Sequence, residues 1–345
     1  MKKNLLYLLI LILLAVALVF INRSKREAAR QLTDMDFTVT DPAIVERIVL
    51  TDKKGKADLR READHWKVNG KFRVMQPRMD VLLETLQKVA VKSPVPISIR
   101  AEVMKGFETD AVKVEIYRKG EEQPFRVYYV DGNTNDSKGT YMLMELNGKK
   151  AVKPYIMHIP GFTGILDVRY FTDETEWRDT NIFDYSMEDI KQISVQYPMN
   201  PENSFSIIVI SEDSFEVRPS GKNAAPATGI YKEGVVKYLS SFENLNAEAF
   251  DNDNPKRDSI MNATPFVSIM ITEKSAYSRQ MAVYHMPLNK RSKTQFDQQG
   301  NRLPYDLDRY YASINGGKDF VIIQDFVFGK IFRKFSDFKI QSTHG

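Results

Sequence analysis

Short runs in which every second residue is apolar recur along this chain, and each reads as a β-strand that buries one face. "RIVLTD" (47–52), "AVKVEIY" (111–117), "QISVQY" (192–197) and "FVSIMIT" (266–272) have this form. So does "ADLRREADHWKVNGKF" (57–72), where apolar residues alternate with charges around His65 and Trp66. Two segments change period. Met79, Leu82, Leu83, Leu86 and Val89 fall on one helical face, as do Val235, Val236, Leu239 and Phe242. Two helix starts are predicted, at Asp41-Pro42 and at Ser186 with Asp189 three residues on. "YMLMELNGKK" (141–150) and "YYASINGGKD" (310–319) each place Asn-Gly where a hairpin turns.

These signals come in the same order twice. Ile48 matches Ile193, Trp66 matches Phe215, Val112 matches Val267 and Asn147 matches Asn315, with separations of 145, 149, 155 and 168 residues. The helices fit between, at 153. Chance similarities scatter, whereas a duplicated unit with loop insertions drifts one way. The expected body is α+β: two tandem copies of a β-hairpin–helix–β-meander unit with mainly antiparallel sheets, over 36–175 and 176–340. "GKNAAPATG" (221–229) and residues 289–306 read as loop insertions.

Leu5 to Ile21 is apolar, with no charge and no proline. At helical rise it spans about 25 Å, enough with flanking snorkelling to cross a membrane. Residues 1–30 therefore read as an uncleaved single-pass anchor followed by a basic juxtamembrane segment. Cleavage after Ala17 is the alternative, but it would leave Leu18 to Ile21 at the new terminus. Arg23, Lys25, Arg26 and Arg30 are candidate contacts to anionic headgroups. They pull toward a cytoplasmic body by the positive-inside rule. An amino-terminal anchor ahead of a large domain favours export instead, and the expectation is an inner-membrane protein with a periplasmic body.

Charge outside that segment changes the picture little. The chain carries +4, and residues 1–30 carry +5, so the body is near neutral at −1. No global footprint for nucleic acid exists. Cysteine is absent, which removes disulfides, thiolate metal sites and cysteine nucleophiles.

The segments "VERIVLTDKKGKADLRREADHWKVNG" (45–70), "MDVLLETLQKV" (79–89) and "WRDTNIFDYSMEDIKQISVQYP" (177–198) resemble a bacterial family known as domain of unknown function 4340, in the form found in gliding-type Bacteroidota. The resemblance covers most of residues 36–200 and, more weakly, the second half. It implies a membrane-tethered accessory role beside an ABC-type export system or gliding-motility-like assembly, with a membrane protein as partner. It implies no catalytic residues.

The residues themselves offer little chemistry. His65, His158, His285 and His344 form no ligand spacing. "DGNTNDSKGTYM" (131–142) begins like a calcium loop, but Asp136 stands where glycine is needed and Met142 where the glutamate belongs. No Gly-x-Ser-x-Gly elbow and no phosphate-cradling glycine loop occurs. "TDETEW" (172–177) offers carboxylates that read as surface. Near the end, Phe328, Ile331, Phe332, Phe335 and Phe338 make one helical face, with Lys330, Arg333 and Lys334 largely away from it. Such a helix packs on the second unit's sheet or presents its cations to a membrane or partner.

The expectation is thus a membrane-anchored accessory or interaction protein, not an enzyme, with no cofactor and no metal. Two alternatives stand beside it. One is a module binding envelope lipid or polymer in a groove between the two units. The other is a carboxylate-based hydrolase, which requires two facing acids, one of them buried.

Overall fold

The computed structural model describes residues 32–340 except Asp213, Lys222 and Asn223. The expected anchor, its cations Arg23, Lys25, Arg26 and Arg30, the Ala17 cleavage point and His344 lie outside the described residues. The chain divides into two compact units, with the break between Asp179 and Thr180. Both are α+β, and all their strand pairs are antiparallel.

The first unit runs β1 (Val45–Thr51), β2 (Lys56–Arg61), β3 (Trp66–Val68), β4 (Phe72–Arg73), helix α1 (Gln76–Lys88), β5 (Ala90–Pro94) and helix α2 (Ile97–Thr109). There follow β6 (Val112–Arg118), β7 (Arg126–Asn133), β8 (Thr140–Leu146), β9 (Lys149–Lys150), β10 (Tyr155–His158) and the single turn α3 (Glu174–Trp177). The sheet order is β4-β3-β2-β1-β6-β7-β8-β10-β5, with β9 folded back on β8. Ile48, Leu59, Val68, Ile116 and Met144 point to one face, and α1 covers it with Met79, Leu82 and Leu86, all fully buried. Each such side chain removed from water contributes about 1.5–3 kcal/mol.

Helix α2 has no counterpart among the sequence expectations. Ile97 is exposed and Ile99 partly so, which blurs its stripe; only Val103 and Phe107 are buried, against Leu143 on the opposite face of the sheet. Asn147 and Gly148 both take positive φ, +52° and +75°, as the two-residue turn between β8 and β9 requires.

The second unit runs β11 (Asn181–Phe183), β12 (Ile190–Gln196), β13 (Phe205–Ser211), β14 (Ser214–Pro219), helix α4 (Lys232–Leu239), β15 (Leu245–Asn246), β16 (Ala249–Phe250) and helix α5 (Arg257–Met261). It ends with β17 (Val267–Glu273), β18 (Ser278–His285), β19 (Arg309–Ile314), β20 (Asp319–Gln324) and the short α6 (Asp325–Phe328). Its sheet order is β14-β13-β12-β17-β18-β19-β20-β16; β11 and β15 form a separate pair. Val235, Tyr238 and Leu239 of α4 and the following Phe242 are buried on this sheet.

Three expectations need correction. Ser186 opens a single turn, not a helix. Its hydroxyl donates to Asp189 at 2.7 Å, closing the turn, and Ile190 then enters β12 fully buried. Val236 is 37% exposed; Tyr238 takes the inward position instead. The C-terminal phenylalanines do not lie on one helix. Residues 325–328 are helical, 329–331 and 335–338 are separate 3-10 turns, and Phe332 breaks the run at ψ +57°. Two tyrosines hold it open, for Tyr238 donates to the Ile331 carbonyl at 3.1 Å and Tyr197 to the Arg333 carbonyl at 2.9 Å. Those carbonyls would otherwise accept helical bonds. The apolar side chains still reach the core: Phe328, Ile331 and Phe338 are buried, and Phe332 and Phe335 pack against it.

Candidate functional site

The stretch around His65 is scaffold. Ala57, Leu59, Trp66 and Val68 are buried, and Arg61 lies over the Trp66 ring at 4.8 Å while donating to the Val45 carbonyl at 2.9 Å. His65 faces outward, its Nδ1 2.7 Å from the Asp64 carboxylate. The acids of 172–177 are also committed locally. Asp173 caps α3, Glu174 accepts from Asn69 at 2.7 Å, and Glu176 pairs with Arg78. Residues 131–142 close as a strand–turn–strand, with Thr134 donating its N–H to Gly139 at 2.9 Å. Among the described residues, no group of three or more His, Asp or Glu is placed to hold a metal ion.

The buried acids Asp306 and Asp319 are engaged, by Ser292 at 2.6 Å and Asn315 at 2.8 Å, and Asp131 is half-buried. Burial pushes its carboxyl up; the Gly132 N–H works the other way, and the charges of Asp110 and Asp167 add to the rise. One oxygen of Asp167 accepts from Asn133 at 2.8 Å, and the other is buried without a partner among the described residues. Among the described residues, His285 is the histidine in an apolar setting. Its ring stacks on Tyr305 at 3.8 Å and lies 4.7 Å from Phe266, and burial lowers its pKa.

Two concavities of the second unit gather unpaired cations. The first, of about 260 Å³, lies where the C-terminal segment crosses α4. Backbone bonds set that crossing: Tyr231 N–H donates to the Phe338 carbonyl at 2.8 Å and Ile340 N–H to the Gly229 carbonyl at 2.9 Å. Tyr238 and Phe338, 5.2 Å apart, form an apolar floor. Lys237, Lys330 and Arg333 stand around it against one carboxylate, Asp337. Asp337 is engaged by the Lys334 N–H at 3.0 Å. The structure thus brings Lys330 and Arg333 together with Lys237, which lies about a hundred positions earlier, and leaves Lys334 outside. The exposed Tyr231 ring lies over Gly234, where any β-carbon would collide with it.

The second concavity, of about 410 Å³, opens at one end of the sheet between β11, the start of β18 and the 315–318 turn. Arg279 lies in its wall and donates through Nη1 to the Ile182 carbonyl at 2.9 Å, while its Nε is buried without a partner. Lys318 is exposed on the rim. Nothing in the sequence reading pointed to this cleft.

Among the described residues no helix is long and apolar enough to cross a membrane; the run Leu5–Ile21 is not among them. No protein-family model matches the chain, and no curated protein matches it.

Proposed function

We propose that this is a membrane-anchored accessory protein that binds other molecules rather than transforming them, built from two copies of one α+β unit. The duplication is supported rung by rung. Ile48 stands between Leu59 and Ile116, and Ile193 between Ile207 and Ile271. Leu59 then faces Val68 as Ile207 faces Val217. Strands β3, β2, β1, β6, β7, β8, β10 and β5 follow one another across their sheet in the same order as β14, β13, β12, β17, β18, β19, β20 and β16.

The observation that carries the binding reading is the pocket at the C-terminal crossing. Lys237, Lys330 and Arg333 make no ion pair among the described residues, and they converge on an apolar floor. A surface that leaves three cations unpaired at one concavity suits an anionic group on a partner. The apolar run at 5–21 supplies the tether, and the resemblance to the domain of unknown function 4340 family suggests the setting: the inner membrane, body periplasmic, beside an ABC-type export or gliding-like assembly. The second reading, an envelope lipid or polymer as ligand, is favoured by the exposed Tyr231 ring beside the same cations.

Crosslinking in intact cells tests the proposal. Full-length protein should require detergent for extraction, and a photocrosslinker at Ser241 should capture a membrane protein. Reversing Lys330 and Arg333 to Glu should abolish that adduct without changing protein abundance. Release without detergent, or an adduct indifferent to the charge reversal, refutes it.

A further inference from the structure

The sheet of the second unit stops short beside Arg279. The ladder between β18 and β19 ends at Met281 opposite Ile314. The backbone of Val283 and Tyr277 bonds toward β17, so the even-numbered Ser278 and Gln280 turn their N–H and C=O the other way, where β19 has already ended. These two residues are exposed, and the cleft lies along them.

The first unit carries a longer neighbouring strand at the same place. Arg126 faces Ile116 as Arg279 faces Ile271, and Ile116 and Ile271 stand beside Ile48 and Ile193. Two residues past each arginine, Tyr128 faces Met144 and Met281 faces Ile314. There the units differ. Strand β8 continues through Glu145 and Leu146 before it turns, whereas β19 turns at once into Asn315. In both units the pairing stops at this rung, but the first unit carries two further strand residues there, hairpinned with β9, where the second has the cleft. The charge differs as well. Asp36 is the carboxylate whose field supports the Arg126 cation. Among the described residues, Arg279 donates to the Ile182 carbonyl and makes no ion pair. The nearby Glu273 accepts from Ser275 at 2.8 Å and makes no ion pair with it.

We propose that this cleft is a docking slot for an extended acidic peptide of a partner protein: its backbone adds to β18 along Ser278 and Gln280, and its Asp or Glu side chain meets Arg279 and Lys318. Strand addition supplies affinity through main-chain bonds, and the arginine supplies specificity for a carboxylate. The cleft volume sits at the lower end of the range for ligand pockets, which suits one or two side chains of a strand. This slot is separate from the C-terminal pocket and does not depend on the membrane reading.

The test uses the full chain in detergent micelles. Random hexapeptides displayed on phage are selected against it, and retained sequences are synthesised with a fluorophore for anisotropy. Retained peptides should carry Asp or Glu among β-favouring residues. Changing that acid to its amide should weaken binding at least tenfold, as should Arg279→Met or Lys318→Glu. Gln280→Pro removes one open N–H while leaving the β17 ladder intact, and it should cost a similar factor. Lys318→Glu and Gln280→Pro alter exposed positions, so their folding is checked by unchanged circular dichroism and melting. Failure to retain any peptide, equal binding of acid and amide forms, or full affinity in Gln280→Pro overturns the proposal; the last result would point to a free carboxylate as ligand.

Discussion

Arg47 grips Asp58 through two hydrogen bonds of 2.7 Å, one from Nε and one from Nη2, across the first hairpin of the chain. Burial alone would raise the Asp58 pKa, but the hydrogen bonds from Arg47 and Arg60 override it and hold the carboxyl below its ordinary value. A depressed carboxylate stabilises the fold above its unfolded pKa of about 4, and that contribution disappears as pH falls through the folded value. Asp58→Asn should therefore cost about 1 kcal/mol at pH 7, the pair being part-exposed. The loss should shrink toward zero near pH 2. Urea midpoints at both pH values measure it.

Asp131 should behave in the opposite sense. Its carboxyl is raised by burial, so ionisation weakens the folded state. Stability linked to this group is complete below pH 4 and falls as pH rises through the folded pKa. Asp131→Asn should stabilise the protein near pH 7 by up to about 1 kcal/mol after allowing for solvent screening, and by nothing below pH 4. Equal midpoints for the two proteins at pH 7 would refute the assignment.

How much of this was legible beforehand follows from what periodicity records. Inward residues were readable because alternation and helical spacing report burial directly. Ile48, Leu59, Trp66 and Val68 all lie where the pattern put them. Helix α2 escaped because only Val103 and Phe107 of its thirteen residues are buried. The C-terminal segment was half legible. Its apolar residues reach the core, but the tyrosine hydroxyls that keep it from forming one helix come from residues 93 and 136 positions away. The cationic pocket has the same obstacle, since Lys237 joins Lys330 and Arg333 only through the fold. The cleft at Arg279 had a readable sign, the Asn315-Gly316 turn arriving two residues earlier than Asn147-Gly148 does relative to Met144. That sign has meaning only once the strand register is known.

Two phenylalanines of the C-terminal segment should separate sharply. Phe338 is 2% exposed, with its ring 4.9 Å from Phe205 and 5.2 Å from Tyr238. Phe326 is 95% exposed. Phe338→Ala removes a filled core position and should cost about 3–5 kcal/mol. Phe326→Ser should change stability by less than about 0.5 kcal/mol. Thermal melts of the two variants decide whether the terminal segment is core or appendage, and similar losses from both would contradict the packing described.

The tyrosine hydroxyls offer the closest test of what shapes the cationic pocket. Tyr238 is fully buried, and its hydroxyl satisfies the Ile331 carbonyl; burial drives its pKa well above the ordinary tyrosine value, so it stays a donor at any working pH. Tyr197, also raised chiefly by burial, does the same for the Arg333 carbonyl. Tyr238→Phe keeps the ring and removes only the donor, leaving a buried carbonyl unpaired at a cost of about 1–3 kcal/mol. Tyr197→Phe should cost less, because the Arg333 end of the segment is nearer to water. The informative readout is local. If these two bonds hold the chain between Ile331 and Lys334 out of helix, amide exchange across residues 331–337 should quicken several-fold in each variant, while β12 and β17 retain wild-type protection. Uniform acceleration across the second unit would mean that the hydroxyls serve global stability alone, and that other contacts set the positions of Lys330 and Arg333.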